Sequence, residues 1–171
     1  MPKILAKAPT GYWFFLCNPK LWAIDAYLET RPETFFYKIT AFHQPYLKAG
    51  DKALIRVGKD GRTQLQRDGQ RKLEAGIYAI VELLAEPEAL TETLSQAHDL
   101  PAPPTTGRDI LVVRLQMLNN LVDRPIPLSQ LRHEANIDTD LINGVMASSY
   151  PLEPATYDRV LTLATETSQR H

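Results

Sequence analysis

The chain has little of what a disulfide scaffold, a metal centre or a membrane span requires. Cys17 is the single cysteine among 171 residues, which excludes an internal disulfide and a cysteine-based zinc cluster. The four histidines are scattered, and none has a partner three or four residues away. The apolar run Tyr12–Cys17 is far shorter than the ~20 residues that cross a bilayer. We therefore expect a cytoplasmic protein with no metal, no cofactor and no membrane contact.

An excess of charge of one sign is also missing. Nineteen Lys and Arg accompany twenty Asp and Glu, for a net charge of −1. This balance excludes a broadly basic nucleic-acid coat, but it leaves room for a local basic patch.

One segment departs from that balance. Residues 56–72 hold two carboxylates and six cations, namely Arg56, Lys59, Arg62, Arg67, Arg71 and Lys72. Gly58–Lys72 is otherwise polar and contains three glycines, so we predict a long hairpin-like excursion. Its cations are either solvated or bind the phosphates of a nucleic acid.

Short strands and short helices alternate without a regular βαβ rhythm. Clusters of apolar and β-branched residues between turn residues predict strands over Tyr12–Cys17, Lys52–Val57, Gly76–Leu84 and Ile110–Leu115. The same composition predicts a strand or a strand-like loop over Thr34–Phe42. Helical spacing predicts short helices over 21–28, 127–131 and 156–163. This pattern favours an α+β fold, in the form of a small curved β-barrel or sheet with short peripheral helices.

The aromatic residues are concentrated near the N-terminus. Eleven of the fourteen lie between Tyr12 and Tyr46. Trp22 follows the turn Asn18-Pro19-Lys20, and Phe35-Phe36-Tyr37 follows a proline-bounded turn, so we predict loop-edge positions for them. Aromatic rings at such positions stack on planar ligands while polar neighbours read the ligand's edge. The alternative, that these rings belong to the hydrophobic core, stays open.

The order of these motifs resembles the EVE domain. An aromatic strand runs into Asn18-Pro19-Lys20 and Trp22, and Phe36–Phe42 and Leu47–Lys52 follow. Further family-like segments are Ala75–Glu82, Pro125–Leu131 and Ser148–Leu152. The resemblance covers about residues 11–165 and implies a single EVE domain with a PUA-like fold, similar to YTH domains. Residues 1–10 are then a flexible lead-in and 166–171 a tail.

The resemblance also implies a function. Similarity to EVE domains implies a non-catalytic reader. Such a reader holds an extruded, modified base, such as 5-methylcytosine or 5-hydroxymethylcytosine in DNA, in an aromatic pocket. Some serve modification-dependent restriction systems, so a nuclease is an expected kind of partner. On this basis we predict Trp22 and Tyr37 as stacking faces, and Asn18, Thr40 and Ser148 as hydrogen-bonding groups at the base edge. Arg56 is predicted at the phosphates or the pocket rim.

Three alternatives belong to other classes. The first is an RNA- or tRNA-binding PUA-like module without a modified-base pocket. The second is a small hydrolase that acts on a modified nucleoside, which would need Lys20, Thr40 and Glu82 to converge. The third is a protein-interaction domain. The reader hypothesis takes DNA as the favoured polymer and RNA as the alternative.

Overall fold

A curled mixed β-sheet forms the centre of the protein. The structure is a computed structural model that describes residues 7–39, 41–90, 110–145 and 147–169. Within these ranges the strands are β1 (Tyr12–Cys17), β2 (Thr34–Lys38), β3 (Lys52–Val57), β4 (Gly76–Leu83), β5 (Glu88–Leu90), β6 (Ile110–Asn120), β7 (Ile126–Pro127) and β8 (Ser149–Pro151).

Short helices surround the sheet. They are α1 (Ile24–Glu29), α2 (Gln64–Arg67), α3 (Leu128–Leu131), α4 (Thr139–Asn143) and α5 (Pro154–Gln169), together with a 3-10 helix at Ala41–Tyr46. The predicted α+β class, a curved sheet with short peripheral helices, is confirmed. No helix in the described part of the chain is long and apolar enough to cross a membrane.

The candidate site lies where the parallel strands β1 and β3 end side by side. The order is β2-β6-β4-β3-β1-β8, with β5 paired to β6 and β7 paired to β4. β1 and β3 are parallel, with Tyr12 opposite Lys52 and Cys17 opposite Val57. Parallel neighbours end at the same edge, so the residues that follow them meet there. The Gly58 N–H accordingly donates to the Cys17 carbonyl oxygen at 3.1 Å.

Both faces of the central strands are buried. Alternate residues of β1 (Trp13, Phe15 and Cys17) point into one hydrophobic cluster with Tyr37 and α1. Phe14 points into a second cluster with α4 and α5. A strand that is buried on both faces has a continuous run of apolar residues in the sequence. This run is the reason that the sequence predicts β1 correctly.

Several elements differ from the sequence-based expectation, and three of the differences are as follows. The predicted strand Thr34–Phe42 ends at Lys38, and a 3-10 helix follows. The Gly58–Lys72 excursion is not a plain hairpin, because Thr63 and Gln66 form a capping box that starts α2. β6 continues to Asn120, well beyond the predicted Leu115, because it pairs with both β2 and β4.

Candidate functional site

The turn after β1 presents Trp22 at the edge of the sheet. Asn18 organises this turn, because its Oδ1 accepts the Lys20 N–H at 3.0 Å. Its carbonyl oxygen accepts the N–H groups of Leu21 at 2.9 Å and Trp22 at 3.2 Å. Such side-chain-to-backbone bonds are the reason asparagine is favoured in turns. Asn18 is exposed, and no described residue accepts a hydrogen bond from its Nδ2.

Trp22 is half-buried and rests on a group of aromatic rings. Its ring centroid lies 5.7 Å from that of Tyr37, edge-on, and 5.3 Å from that of Tyr27. Tyr37 in turn stacks on Phe15 at 5.2 Å. The rings behind Trp22 thus fix its orientation while part of its own surface stays open to solvent.

Tyr37 requires a correction. Its side chain is only 3% exposed, and its hydroxyl donates to the Leu16 carbonyl oxygen at 2.9 Å. Burial raises its pKa well above the usual tyrosine value. The predicted loop-edge position is wrong because Tyr37 lies within β2, so it supports Trp22 from the core rather than offering a face to a base.

Ser148 lies at the same edge as Asn18. The carbonyl oxygen of Ser148 accepts the Leu16 N–H at 3.0 Å, immediately before β8 pairs with β1. Asn18, Trp22, Tyr37 and Ser148 therefore gather around the last residues of β1; we call this group the β1 edge. Thr40, the fifth predicted pocket residue, lies outside the described residues.

A buried polar pair near this edge was missed by the sequence analysis. His43 Nδ1 lies 3.2 Å from the Ser149 hydroxyl oxygen, and both side chains are buried. The His43 ring also packs against Trp13, with centroids 5.4 Å apart. Burial lowers the pKa of His43 below its usual value, which keeps the imidazole neutral at pH 7. Only the pairing of β1 with β8 reveals this partner, 106 residues away along the chain.

Arg56 has a structural role instead of facing phosphates. It is 7% exposed, and it donates from Nε to the Leu141 carbonyl at 2.5 Å and from Nη2 to the Ile142 carbonyl at 3.0 Å. A cation at these last carbonyls of α4 stabilises the end of the helix. Ile55 and Val57 point into the cluster that contains Cys17, so Arg56 lies on the opposite face of β3.

Arg62 is likewise buried, contrary to the expectation that its charge has no structural partner. It is 6% exposed and donates to Asp25 at 3.1 and 3.2 Å, and to Asp60 from Nε and Nη2 at 2.9 Å each. The hydrogen bonds from Arg62 hold the pKa of Asp60 well below its usual range. Its guanidinium therefore joins the excursion to α1, and its N–H donors are used by Asp25 and Asp60 rather than by a phosphate.

The remaining cations of the excursion divide by exposure. Arg67 is half-buried and ties its own loop, donating to the carbonyls of Gln70 and Arg62 at 3.2 Å each. Lys59, Arg71 and Lys72 are exposed. These three are the predicted backbone contacts that the structure leaves at the surface, and Lys59 follows Gly58 directly at the β1 edge.

The three residues of the hydrolase alternative do not meet. Glu82 pairs with Lys52 at the start of β3, whereas Lys20 follows the other end of β1. The two ends of β1 are five residue steps apart, and at ~3.3 Å per step this is about 17 Å. The distance removes Lys20 and Glu82 from any common catalytic site.

Comparison with known proteins agrees with this architecture. Solved structures with 15–17% sequence identity to this chain share its fold. The family model of the EVE domain matches residues 11–163. The chain belongs to the EVE-domain family, as its motifs predict. No curated protein matches the chain significantly.

Two solved structures illustrate the fold. A hypothetical protein from Leishmania major has a TM-score of 0.58 at 15% identity, over 92% of this chain and 96% of that chain. Human THYN1, solved in complex with DNA that contains 5-methylcytosine, has a TM-score of 0.54 at 17% identity, over 90% of this chain and 96% of that chain.

Proposed function

We propose that this protein is a non-catalytic reader that binds an extruded, modified base of DNA at the β1 edge. The observation that carries the proposal is the half-exposed Trp22 ring, held from behind by buried Tyr37 and placed four residues after the exposed Asn18 amide. A planar ring beside a hydrogen-bonding amide is what recognition of a single base requires. The family and the complex of human THYN1 with 5-methylcytosine DNA support the same reading.

The energetics of such a reader are balanced. Extruding a base costs a few kcal/mol, least where pairing is already weak. Stacking on one aromatic ring returns about 1–3 kcal/mol, and a methyl group in an apolar slot adds about 0.8 kcal/mol. Stacking thus offsets much of the extrusion cost, and the methyl group decides between modified and unmodified cytosine.

Polar and basic residues supply the hydrogen bonds to the base edge and the contacts to phosphates. Asn18, Ser148 and Thr40 form hydrogen bonds to the edge of the base, and 5-methylcytosine or 5-hydroxymethylcytosine is the proposed ligand. Lys59, Arg71 and Lys72 contact phosphates, which adds affinity without base information. A nuclease partner that acts on the marked DNA and a cytoplasmic location complete the proposal.

A binding panel tests the function. DNA duplexes and DNA single strands of one sequence would carry unmodified cytosine, 5-methylcytosine, 5-hydroxymethylcytosine or N6-methyladenine, and an unmodified RNA of the same sequence would be measured beside them. We expect tighter binding to one modified cytosine than to the unmodified strand, and recovery of every nucleoside unchanged. Equal affinity for all four bases would contradict the reader. Altered nucleosides would favour the enzyme, and a preference for unmodified RNA would favour the RNA-binding module.

A further inference from the structure

Leu65 is the most exposed large hydrophobic side chain among the residues that the structure describes. Its exposed fraction is 90%, against 61% for Leu21. It is also the single apolar side chain in the polar segment 58–72. Isolated exposed leucines are common on protein surfaces, so exposure alone assigns no role to Leu65, and its surroundings must do so.

The turn that carries Leu65 is fixed at both ends. Thr63 Oγ1 accepts the Gln66 N–H at 3.2 Å, and Gln66 Oε1 accepts the Thr63 N–H at 2.9 Å, so a complete capping box begins α2. The helix ends after one turn, where Asp68 and Gly69 take left-handed conformations with φ of 47° and 86°. The backbone thus holds Leu65 away from the protein at little further cost in entropy.

The same turn is anchored beside Trp22. Arg62 binds both carboxylate oxygens of Asp25 in the first turn of α1, and Gln70 Nε2 lies 3.4 Å from Glu29 Oε2 at its end. Trp22 lies two residues before Ile24, the first residue of α1, and its carbonyl oxygen accepts the Ile24 N–H at 2.8 Å. The Leu65 turn and Trp22 are therefore both joined to α1 by hydrogen bonds.

Exposed cations flank the apolar tip. In the sequence Lys59 precedes the turn, and Arg71 and Lys72 follow it, while Asp68 and Glu29 are exposed carboxylates near it. An apolar side chain with cations on either side complements duplex DNA, where phosphates border a stack of bases. Proteins that deform DNA place leucine and similar side chains between base steps in this manner.

We propose that Leu65 is a wedge that enters the base stack of duplex DNA while the modified base is held at the β1 edge. The wedge fills space that the extruded base vacates and so lowers the cost of extrusion. The inference rests on the proposed function and deepens it. A wedge acts on stacked base pairs, so the ligand is the intact duplex rather than a single strand.

The test compares duplex and single strand. Binding of wild type, Leu65→Gln and Leu65→Met would be measured by fluorescence anisotropy on a duplex with one 5-methylcytosine and on the modified strand alone. Leu161→Gln, at another partly exposed leucine on α5, is the matched control. Because Leu65 makes no core contact, we expect both Leu65 variants to keep the wild-type melting temperature.

The expected result is specific to the duplex. Leu65→Gln should weaken binding to the duplex by about tenfold, leave single-strand binding within about twofold, and be rescued by the apolar Leu65→Met. Leu161→Gln should match wild type on both. An equal loss on both substrates, or no loss on the duplex, would overturn the wedge while leaving the reader intact. A wild type that prefers neither 5-methylcytosine nor 5-hydroxymethylcytosine to unmodified cytosine would refute the proposed function itself, and the wedge with it.

Discussion

Replacing Arg62 by methionine would leave two buried carboxylates without their shared cation. Asp25 and Asp60 are each 2% exposed, and Arg62 donates to Asp25 at 3.1 and 3.2 Å and to Asp60 at 2.9 Å. Removing one partner from a buried, hydrogen-bonded charge cluster costs about 3–5 kcal/mol, because the remaining charge is uncompensated. For a domain of this size that loss lowers the melting temperature by roughly 6–20 °C.

The pH dependence of the loss has a definite sign. Hydrogen bonds from Arg62 depress the folded-state pKa of Asp60. The stability from Asp60 is therefore present above its unfolded pKa, about 3.9, and is lost as the pH falls through the folded value. In Arg62→Met burial instead raises the pKa of Asp60, so protonation relieves the penalty. The gap between variant and wild type is widest at pH 7 and narrows toward pH 4.

Urea unfolding, followed by tryptophan fluorescence at pH 7 and pH 4.5, measures both quantities. Arg71→Met is the matched control, because it removes the same charge from an exposed position in the same segment and should cost less than about 0.5 kcal/mol. A loss for Arg62→Met no larger than that of Arg71→Met, or a gap that widens on acidification, would refute the structural role of Arg62.

Further predictions concern Tyr37, the surface cations and Cys17. Tyr37→Phe should lose about 1–3 kcal/mol in urea unfolding, because the Leu16 carbonyl at 2.9 Å loses its donor; unchanged stability would contradict that bond. Neutralising Lys59, Arg71 and Lys72 to alanine should weaken binding to modified and unmodified duplexes alike, and make the slope of log affinity against log salt shallower by about 0.9 per lost phosphate contact. An unchanged slope would place the DNA elsewhere. Burial raises the pKa of Cys17 to about 12, so a thiol reagent at pH 8 should label the native protein slowly and the urea-unfolded protein rapidly; rapid native labelling would contradict its burial.

Local sequence patterns predict the central strands and the family. The bounds of β1 and β3 agree with the predicted Tyr12–Cys17 and Lys52–Val57, because strands buried on both faces leave continuous apolar runs. Two signals were present but were not used. Asp138 and Gly144 flank α4 as its N-cap and its C-cap, and Thr63 with Gln66 marks α2.

The side-chain roles depend on partners that are distant in the sequence. Arg62 meets Asp25 across 37 residues, and Arg56 meets the Leu141 carbonyl across 85. No local pattern separates the buried Arg62 from the exposed Arg71, since both lie in the polar, basic segment 58–72. Tyr37 was placed at a loop edge because it follows a proline-bounded turn. Thr34–Lys38 shows no alternation of apolar and polar residues, so its buried face cannot be read from the sequence.

The most direct test of the central claim is the ratio of affinities for modified and unmodified duplexes, measured for wild type and Trp22→Ala. Trp22 is half-buried on Tyr27 and Tyr37, and without its stacking energy of about 1–3 kcal/mol neither the modified nor the unmodified base is extruded. The account predicts that the ratio falls toward one in the variant, while affinity for unmodified DNA, which rests on phosphate contacts, barely changes. An unchanged ratio in a folded Trp22→Ala protein would contradict the assignment of the β1 edge as the base-reading site.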